Sequence, residues 1–249
     1  MEYFKTGIKG FDIIMEKGLP DRTTIILHGP PGTGIRVFGQ QFLYAGMEKM
    51  GAQGVYFTSE RSSAEIIEDV KFYNWDLKKY VDKNQLTFID AYTTKYEKSY
   101  SVDLEIFREL VWDVGASNQL RIALTKHLEN FKEKGVSHIR CIIDSLSSLF
   151  RTENPEDVID LFEIIQIAAR KYGGIYFFIL DKGVHDERQV KTLLYLADGI
   201  FDFSTRERGS ELEHVMRIQK LKNMVFSTKL IPYLISQEGV VVETTERII

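Results

Sequence analysis

A glycine-rich run beginning at His28 has the layout of a phosphate-binding loop. Such loops follow the pattern G-x-x-x-x-G-K-[ST], in which main-chain N–H groups surround the phosphates, the lysine contacts their oxygens and the hydroxyl holds Mg²⁺. Ile35 stands at the lysine position and Arg36 at the hydroxyl position. The residues predicted to contact a nucleotide are Gly29, Pro30, Pro31, Gly32, Thr33, Gly34, Ile35 and Arg36. Glycine runs also occur in ordinary strand–helix turns, so the interpretation depends on what surrounds this one.

Two carboxylates follow predicted strands and are candidates for the chemistry. Asp144 ends a buried run, where nucleoside triphosphatases place the carboxylate that orients Mg²⁺. Its alternative role is a helix N-cap or a solvated strand end. Glu60 closes another strand and could act as a general base, or serve as an acid in the first turn of a helix. We predict both as catalytic residues, with Asp144 also associated with metal, because ligands collect at the carboxyl ends of strands in open α/β sheets.

Two lysines near the C-terminal end are further candidates. Lys220 and Lys222 alternate on a predicted strand and therefore share one face. Lysines in this arrangement are also typical of a solvated strand edge, where they discourage aggregation between sheets. The five histidines and Cys141 show no spacing typical of metal ligands.

Length, composition and net charge limit the classes of protein that this sequence can encode. The 249 residues, 44% of them hydrophobic, fit one large α/β domain spanning residues 1–249. A formal charge of −4 gives no overall attraction to nucleic acid, which is therefore not an expected partner. With Cys141 as its one cysteine the chain forms no intrachain disulfide, which fits a cytoplasmic protein. The first eleven residues do not resemble a signal peptide, and no apolar run approaches the roughly 18 residues of a membrane span.

Alternating β-rich and helical segments predict a mainly parallel sheet flanked by helices. A predicted strand precedes the glycine run and a predicted helix follows it, which is the context that a phosphate-binding loop requires. The predicted strands are 23–28, 54–59, 86–90, 138–144, 175–180 and 199–204. The predicted helices are 37–50, 64–73, 102–114, 119–134, 156–172 and 190–197. Residues 91–101 are polar and tyrosine-rich, so we expect a surface loop there.

After residue 205 the pattern changes to short alternating segments. Residues 215–221, 231–235 and 240–243 alternate like antiparallel strands, with turns at Asn223 and at Glu238-Gly239. We therefore predict an α/β fold in which C-terminal antiparallel strands extend a mainly parallel sheet.

Several segments together resemble the KaiC-type branch of the RecA superfamily of P-loop ATPases. They are 6–12 with 18–20, the loop 29–34, the strand end 57–60, the strand 142–146, and 217–222 with Pro232 and Gly239 downstream. The resemblance runs from about Thr6 to Val242, with residues 92–134 least well matched. It implies a RecA-like fold and a hexameric ring with ATP between subunits. Lys220 and Lys222 then resemble the basic residues that reach a neighbouring subunit's nucleotide.

The departures from that family concern hydrolysis. Besides Ile35 and Arg36, Arg61 replaces the second of two adjacent glutamates, so three components are altered. Losing only two factors of about 10² would raise the barrier by roughly 5 kcal/mol. Because position 36 should face the place of Mg²⁺, we predict that Arg36 pairs with Asp144 and substitutes its fixed charge for the metal.

These observations favour a pseudo-ATPase that acts as an oligomeric regulatory or assembly module. We expect weak ATP binding, an impaired Mg²⁺ site, and a homo-oligomer or a mixed ring with a paralogue. One alternative is a slow ATP hydrolase in which Arg36 or a neighbour's Lys220 replaces the missing lysine. The other is a DNA-associated recombinase paralogue, against which the acidic balance counts.

Overall fold

Runs of buried apolar residues form one large sheet in the computed structural model, which describes residues 2–94 and 116–243. Its strands are β3 (Thr23–Gly29), β4 (Gln53–Thr58), β5 (Leu86–Asp90), β6 (Ile139–Asp144), β7 (Ile175–Asp181), β8 (Gly199–Arg208), β9 (Glu211–Leu221), β10 (Ile231–Ser236) and β11 (Gly239–Val242). A separate antiparallel pair consists of β1 (Tyr3–Phe4) and β2 (Leu19–Pro20).

The large sheet has the strand order β11-β10-β9-β8-β3-β7-β6-β4-β5. The strands from β8 to β5 are parallel to one another, whereas β8, β9, β10 and β11 pair antiparallel. The predicted fold class is therefore confirmed, including the C-terminal antiparallel strands. The carboxyl ends of the parallel strands meet at one edge, where Asp144 is the last residue of β6 and the glycine loop and Glu60 follow β3 and β4.

The helices cover both faces of this sheet. They are α1 (Phe11–Ile14), α2 (Ile35–Met50), α3 (Ser63–Asp69), α4 (Lys78–Asp82), α5 (Ala116–Glu133), α6 (Leu146–Thr152), α7 (Pro155–Tyr172) and α8 (Glu187–Leu196). A 3₁₀ turn at Val70–Tyr73 continues α3. Within the two described ranges, no helix combines the length and apolar character that crossing a membrane requires.

Aromatic contacts show how the two layers of helices are held. Phe42 of α2 stacks on Phe177 with ring centroids 4.2 Å apart, and Phe162 of α7 lies 4.6 Å from Phe178. Adjacent residues of a strand point to opposite faces, so both faces of β7 are buried. This double burial is the reason that the central strands are continuous apolar runs rather than alternating ones.

The Thr6–Asp12 segment closes on itself and is tied to the sheet through Arg140. The Asp12 carboxylate accepts hydrogen bonds from the main-chain N–H groups of Thr6 (2.7 Å) and Gly7 (2.8 Å). The fully buried Arg140 donates to the carbonyl oxygens of Thr6 (2.9 Å) and Phe42. Burial lowers the pKa of Arg140 to about 9, against a smaller opposite effect of Asp12. The guanidinium thus joins the N-terminal segment to α2.

Some predicted boundaries are wrong for local reasons. Residues 91–94 are helical rather than loop, and Asp90 caps them by accepting from Thr93 N and Oγ1 at 2.8 Å each. The predicted helix 64–73 divides into α3, which a capping box at Ser62 starts, and the 3₁₀ turn. Strands β8 and β9 extend beyond their predicted ends as a two-stranded ribbon. The predicted helix 102–114 and the rest of the predicted loop, residues 95–101, lie outside the described residues.

Two buried glycines of α2 provide a matched test of the Arg140 anchor. A Cβ added at Gly46 would overlap the Arg140 side chain, whereas one added at Gly39 meets its nearest atoms at 3.6 Å. We expect Gly46→Ala to lower the free energy of unfolding by about 1–3 kcal/mol, because Arg140 cannot move without breaking its hydrogen bonds. Gly39→Ala should be neutral or raise it by up to about 1 kcal/mol through helix propensity. Urea denaturation measures both, and equal stability of the two variants would contradict this account.

Candidate functional site

The glycine loop joins the end of β3 to the start of α2. Gly34 is the N-cap of α2 with φ 73°, and no side chain caps the helix. Pro31 and Gly32 are exposed, and the Thr33 hydroxyl donates to the Pro30 carbonyl at 2.7 Å, which closes the turn. An uncapped helix N-terminus after an exposed turn leaves main-chain N–H groups that suit an anion. The loop therefore keeps the main-chain form of a phosphate cradle.

Strand β10, one of the C-terminal antiparallel strands, packs against this loop. Tyr233 of β10 is fully buried and donates its hydroxyl proton to the Thr33 carbonyl at 2.5 Å. A Cβ at Gly34 would overlap the Ile235 side chain, so close packing as well as the positive φ requires glycine there. The antiparallel strands thus fix the position of the loop.

Position 35 belongs to the core of the protein. Ile35 is 3% exposed and lies in the hydrophobic cluster between α2 and the sheet. Its Cγ2 lies 3.1 Å from the place where a Cβ of Gly29 would be. This side chain packs under the loop and supplies no positive charge to a phosphate.

Arg36 lies among three carboxylates at the carboxyl ends of the strands. Its Nε is 2.9 Å from Asp144 Oδ1, and its Nη2 is 2.5 Å from Glu60 Oε2. Nη1 and Nη2 each lie 3.3 Å from an oxygen of Asp181. The predicted contact between Arg36 and Asp144 is therefore present, and Glu60 and Asp181 share the same guanidinium.

Burial and charge pairing shift the pKa values of Arg36 and Asp144 in opposite directions. Burial alone would lower the pKa of Arg36, but Asp144, Asp181 and Glu60 together raise it above its ordinary value. Burial raises the pKa of Asp144, while Arg36 and the Tyr56 hydroxyl, which donates to Oδ2 at 2.8 Å, act in the opposite direction. The carboxylate of Asp144 is 3% exposed, so losing its cation would leave a charge with little access to water.

Glu60 is held by several donors at once. Besides Arg36, it accepts a hydrogen bond from Ser145 Oγ at 3.0 Å and from Arg151 Nη2 at 3.4 Å. A carboxylate engaged in this way is poorly placed to accept a proton from water.

Sequence reasoning missed Asp181, Ser145, Arg151, Tyr56 and Tyr233. Asp181 had a usable signal, because it closes a buried apolar run in the same way as Asp144. The register of β7 on β3 sets Asp181 beside Gly29, at the start of the loop. Ser145 lies within the segment 142–146 that carries the resemblance, but that segment indicates no role for it, and the other three residues belong to no motif.

The residues present do not fit Mg²⁺. The Arg36 guanidinium lies between Asp144 and Glu60 and donates to both, so the oxygens that it contacts are not free to ligate a metal ion. Over residues 2–94 and 116–243, no group of three or more histidine, cysteine, aspartate or glutamate side chains is arranged to hold a metal ion. The main-chain cradle of the loop does fit a phosphate group, although it lacks a lysine at position 35.

Lys220 and Lys222 are not brought to the loop of their own chain. Lys220 pairs in register with Ile200, near the amino-terminal end of β8, whereas the loop follows the carboxyl end of β3. Its Nζ donates to the Tyr195 carbonyl at 2.6 Å, and Lys222 Nζ lies 3.4 Å from Asp198 Oδ1. Their predicted contact with a neighbouring subunit's nucleotide therefore remains a prediction.

Replacing Arg36 should destabilise the protein in a pH-dependent way. Arg36→Met leaves three clustered carboxylates without their cation, so we expect a loss of about 3 kcal/mol at neutral pH. Without the guanidinium, the pKa of Asp144, which burial already raises, should rise further in the folded state. An acid with a raised folded pKa binds protons more readily when folded, so the loss should shrink as pH falls from about 7 toward the ordinary carboxyl pKa of about 4. Urea unfolding across this pH range measures the effect.

Arg61→Met is the matched control for this measurement. Arg61 pairs with Asp69, and the two side chains are 37% and 58% exposed. An exposed pair of this kind contributes under about 1 kcal/mol. A loss for Arg36→Met no larger than that of the control, or one that does not change with pH, would show that the three carboxylates do not depend on Arg36.

Comparison with known proteins identifies the family and supports the fold. The sequence model of the family described as "ATPase: KaiC" matches residues 4–247. A UPF0273 protein of Pyrococcus horikoshii is 28% identical over 246 residues, which cover 96% of this chain and 92% of that protein. The circadian clock oscillator protein KaiC of Parathermosynechococcus lividus is 27% identical over 242 residues, covering 95% of this chain but 41% of the longer protein.

A solved structure shares the fold. The crystal structure of a KaiC-like protein from Pyrococcus horikoshii superimposes with a TM-score of 0.73 at 22% identity, covering 98% of this chain and 99% of that one. The family match over nearly the whole chain shows that this protein belongs to the KaiC-like ATPases of the RecA superfamily.

Proposed function

We propose that this protein is a pseudo-ATPase within its family, with weak or no hydrolysis. The observation that carries the proposal is the Arg36 guanidinium, bound to Asp144 and Glu60 where a hydrolytic site would need a metal and a free base. Ile35 adds to it, since a buried isoleucine cannot neutralise charge on a transferring phosphoryl group. Two such losses of about 10² each correspond to roughly 5 kcal/mol of barrier.

In this proposal the protein acts as an oligomeric regulatory or assembly module. The loop binds ATP weakly and without Mg²⁺, since its main-chain cradle is kept while the metal position holds a cation. The chain forms one KaiC-like domain, in keeping with the single sheet from β3 to β11. Family resemblance supports a homo-oligomer, or a mixed ring in which a paralogue supplies the missing groups, in a cytoplasmic setting.

ATP turnover with Mg²⁺ tests the proposal directly. We expect no turnover above background for the wild type, and turnover only after Ile35→Lys/Arg36→Thr restores both altered positions. The single variants Ile35→Lys and Arg36→Thr should remain inactive, because each restores one of two required groups. Release of inorganic phosphate from ATP is the measurement.

Wild-type turnover would overturn the proposal if it required Mg²⁺ and disappeared in Glu60→Gln. That result would show that Glu60 leaves its contacts with Arg36 and Ser145 to activate water. It would favour the slow ATP hydrolase instead.

Assembly provides a second test. If ATP hydrolysis plays no part, we expect the oligomeric state to be the same with ATP and Mg²⁺ as with a chelator and no nucleotide. Sedimentation velocity measures the state under both conditions. Oligomers that appear only with ATP and Mg²⁺ would contradict a module that assembles without the metal.

A further inference from the structure

Lys182 lies beside the start of the glycine loop, although it is not part of any loop motif. It follows β7 directly, and its main-chain N–H donates to the Gly29 carbonyl at 3.0 Å. This hydrogen bond continues the pairing of β7 with β3 past the last strand residues. The Lys182 side chain therefore starts next to the turn that would receive a phosphate.

The Lys182 ammonium is anchored on one side and open on the other. Its Nζ lies 3.0 Å from Asp202 Oδ1, while 43% of the side chain is exposed. Asp202 also contacts His28, with Nδ1 and Oδ1 3.4 Å apart. Burial raises the pKa of Asp202, but the hydrogen bonds from His28 and Lys182 outweigh it and lower the pKa overall. The carboxylate stays ionised and holds the ammonium at the edge of the sheet.

Lys182 differs in this respect from the basic group inside the motif. Arg36 contacts three carboxylates, so its charge is already neutralised. Ile35, at the lysine position, carries no charge. Lys182 has one acidic partner and access to solvent, and a lysine is a compact charge on a flexible stem that can turn toward a new anion.

We propose that Lys182 supplies the phosphate-binding ammonium that position 35 lacks. It contacts the phosphate groups of a nucleoside triphosphate or of inorganic triphosphate seated on the loop Pro30–Gly34, with the main-chain N–H groups binding from the other side. This inference rests on the weak phosphate binding in the proposed function and adds the residue that provides it. No hydrolysis is involved.

Binding measurements without metal test the proposal. Isothermal titration of ATP and of inorganic triphosphate, both with a chelator present, is compared for wild type, Lys182→Ala and Lys182→Arg. We expect Lys182→Ala to weaken both ligands by about tenfold or more, since it removes a charge-assisted hydrogen bond. Lys182→Arg should stay within about threefold of wild type, because it keeps the charge. Tighter binding of ATP than of triphosphate by the wild type would show that the nucleoside adds contacts of its own, which would identify a nucleotide as the ligand of the loop.

Lys79→Ala is the matched control. Lys79 is also an ion-paired lysine, 3.2 Å from Glu48 and 42% exposed, but it lies on α4. Its replacement should leave both affinities unchanged. A role for Lys182 limited to joining the ends of β7 and β8 would instead lower the melting temperature and leave the affinities alone.

The proposal is overturned if the wild type binds neither ligand, or if Lys182→Ala binds both as tightly as wild type. Neither result bears on whether the protein hydrolyses ATP, because hydrolysis is measured separately as release of inorganic phosphate. Conversely, wild-type turnover with Mg²⁺ would overturn the pseudo-ATPase function without changing the binding comparison.

Discussion

The charge balance around Arg36 is the constraint on which the site depends. Three separate strand ends bring Glu60, Asp144 and Asp181 to one edge of the sheet, and the buried Asp144 carboxylate among them needs a cation to offset its charge. A metal ion would satisfy that need only when bound, whereas an arginine satisfies it permanently. The three carboxylates are therefore paired with a cation even when no ligand is bound.

In the proposed function, this permanent pairing links the stability of the site to the loss of ATP hydrolysis. A hydrolytic site needs a carboxylate that accepts no hydrogen bond from its own chain and a metal position that no side chain fills. Both features destabilise the folded state when no metal or substrate is bound. Here Glu60 and Asp144 are both occupied by donors from their own chain. The arrangement stabilises the carboxyl edge of the sheet, and in the proposed function the same contacts keep Glu60 from activating water.

Much of this architecture is readable from sequence because it depends on local patterns. Apolar runs, the glycine spacing and the position of Arg36 within the motif led to the α/β fold and to the contact with Asp144, which the structure confirms. The contact of Tyr233 with the loop depends on packing between distant segments, which no local pattern predicts. Asp181 ends an apolar run, as Asp144 does, but its place beside Gly29 depends on strand register. Residues 91–94 were assigned to a loop because a carboxylate cap at Asp90 is not visible as a periodic pattern.

The two altered loop positions have opposite effects on charge. In the proposed function, this difference explains why the loop keeps its main-chain binding groups although hydrolysis is lost. Ile35 places an apolar side chain in the core where the motif has a lysine, while Arg36 adds a positive charge beside the carboxylates. The cluster of acids is neutralised, but a bound anion no longer has a partner inside the motif. Any remaining affinity for phosphate must then come from main-chain N–H groups and from a basic side chain outside the motif. Lys182, hydrogen-bonded to Gly29 and partly exposed, meets that requirement.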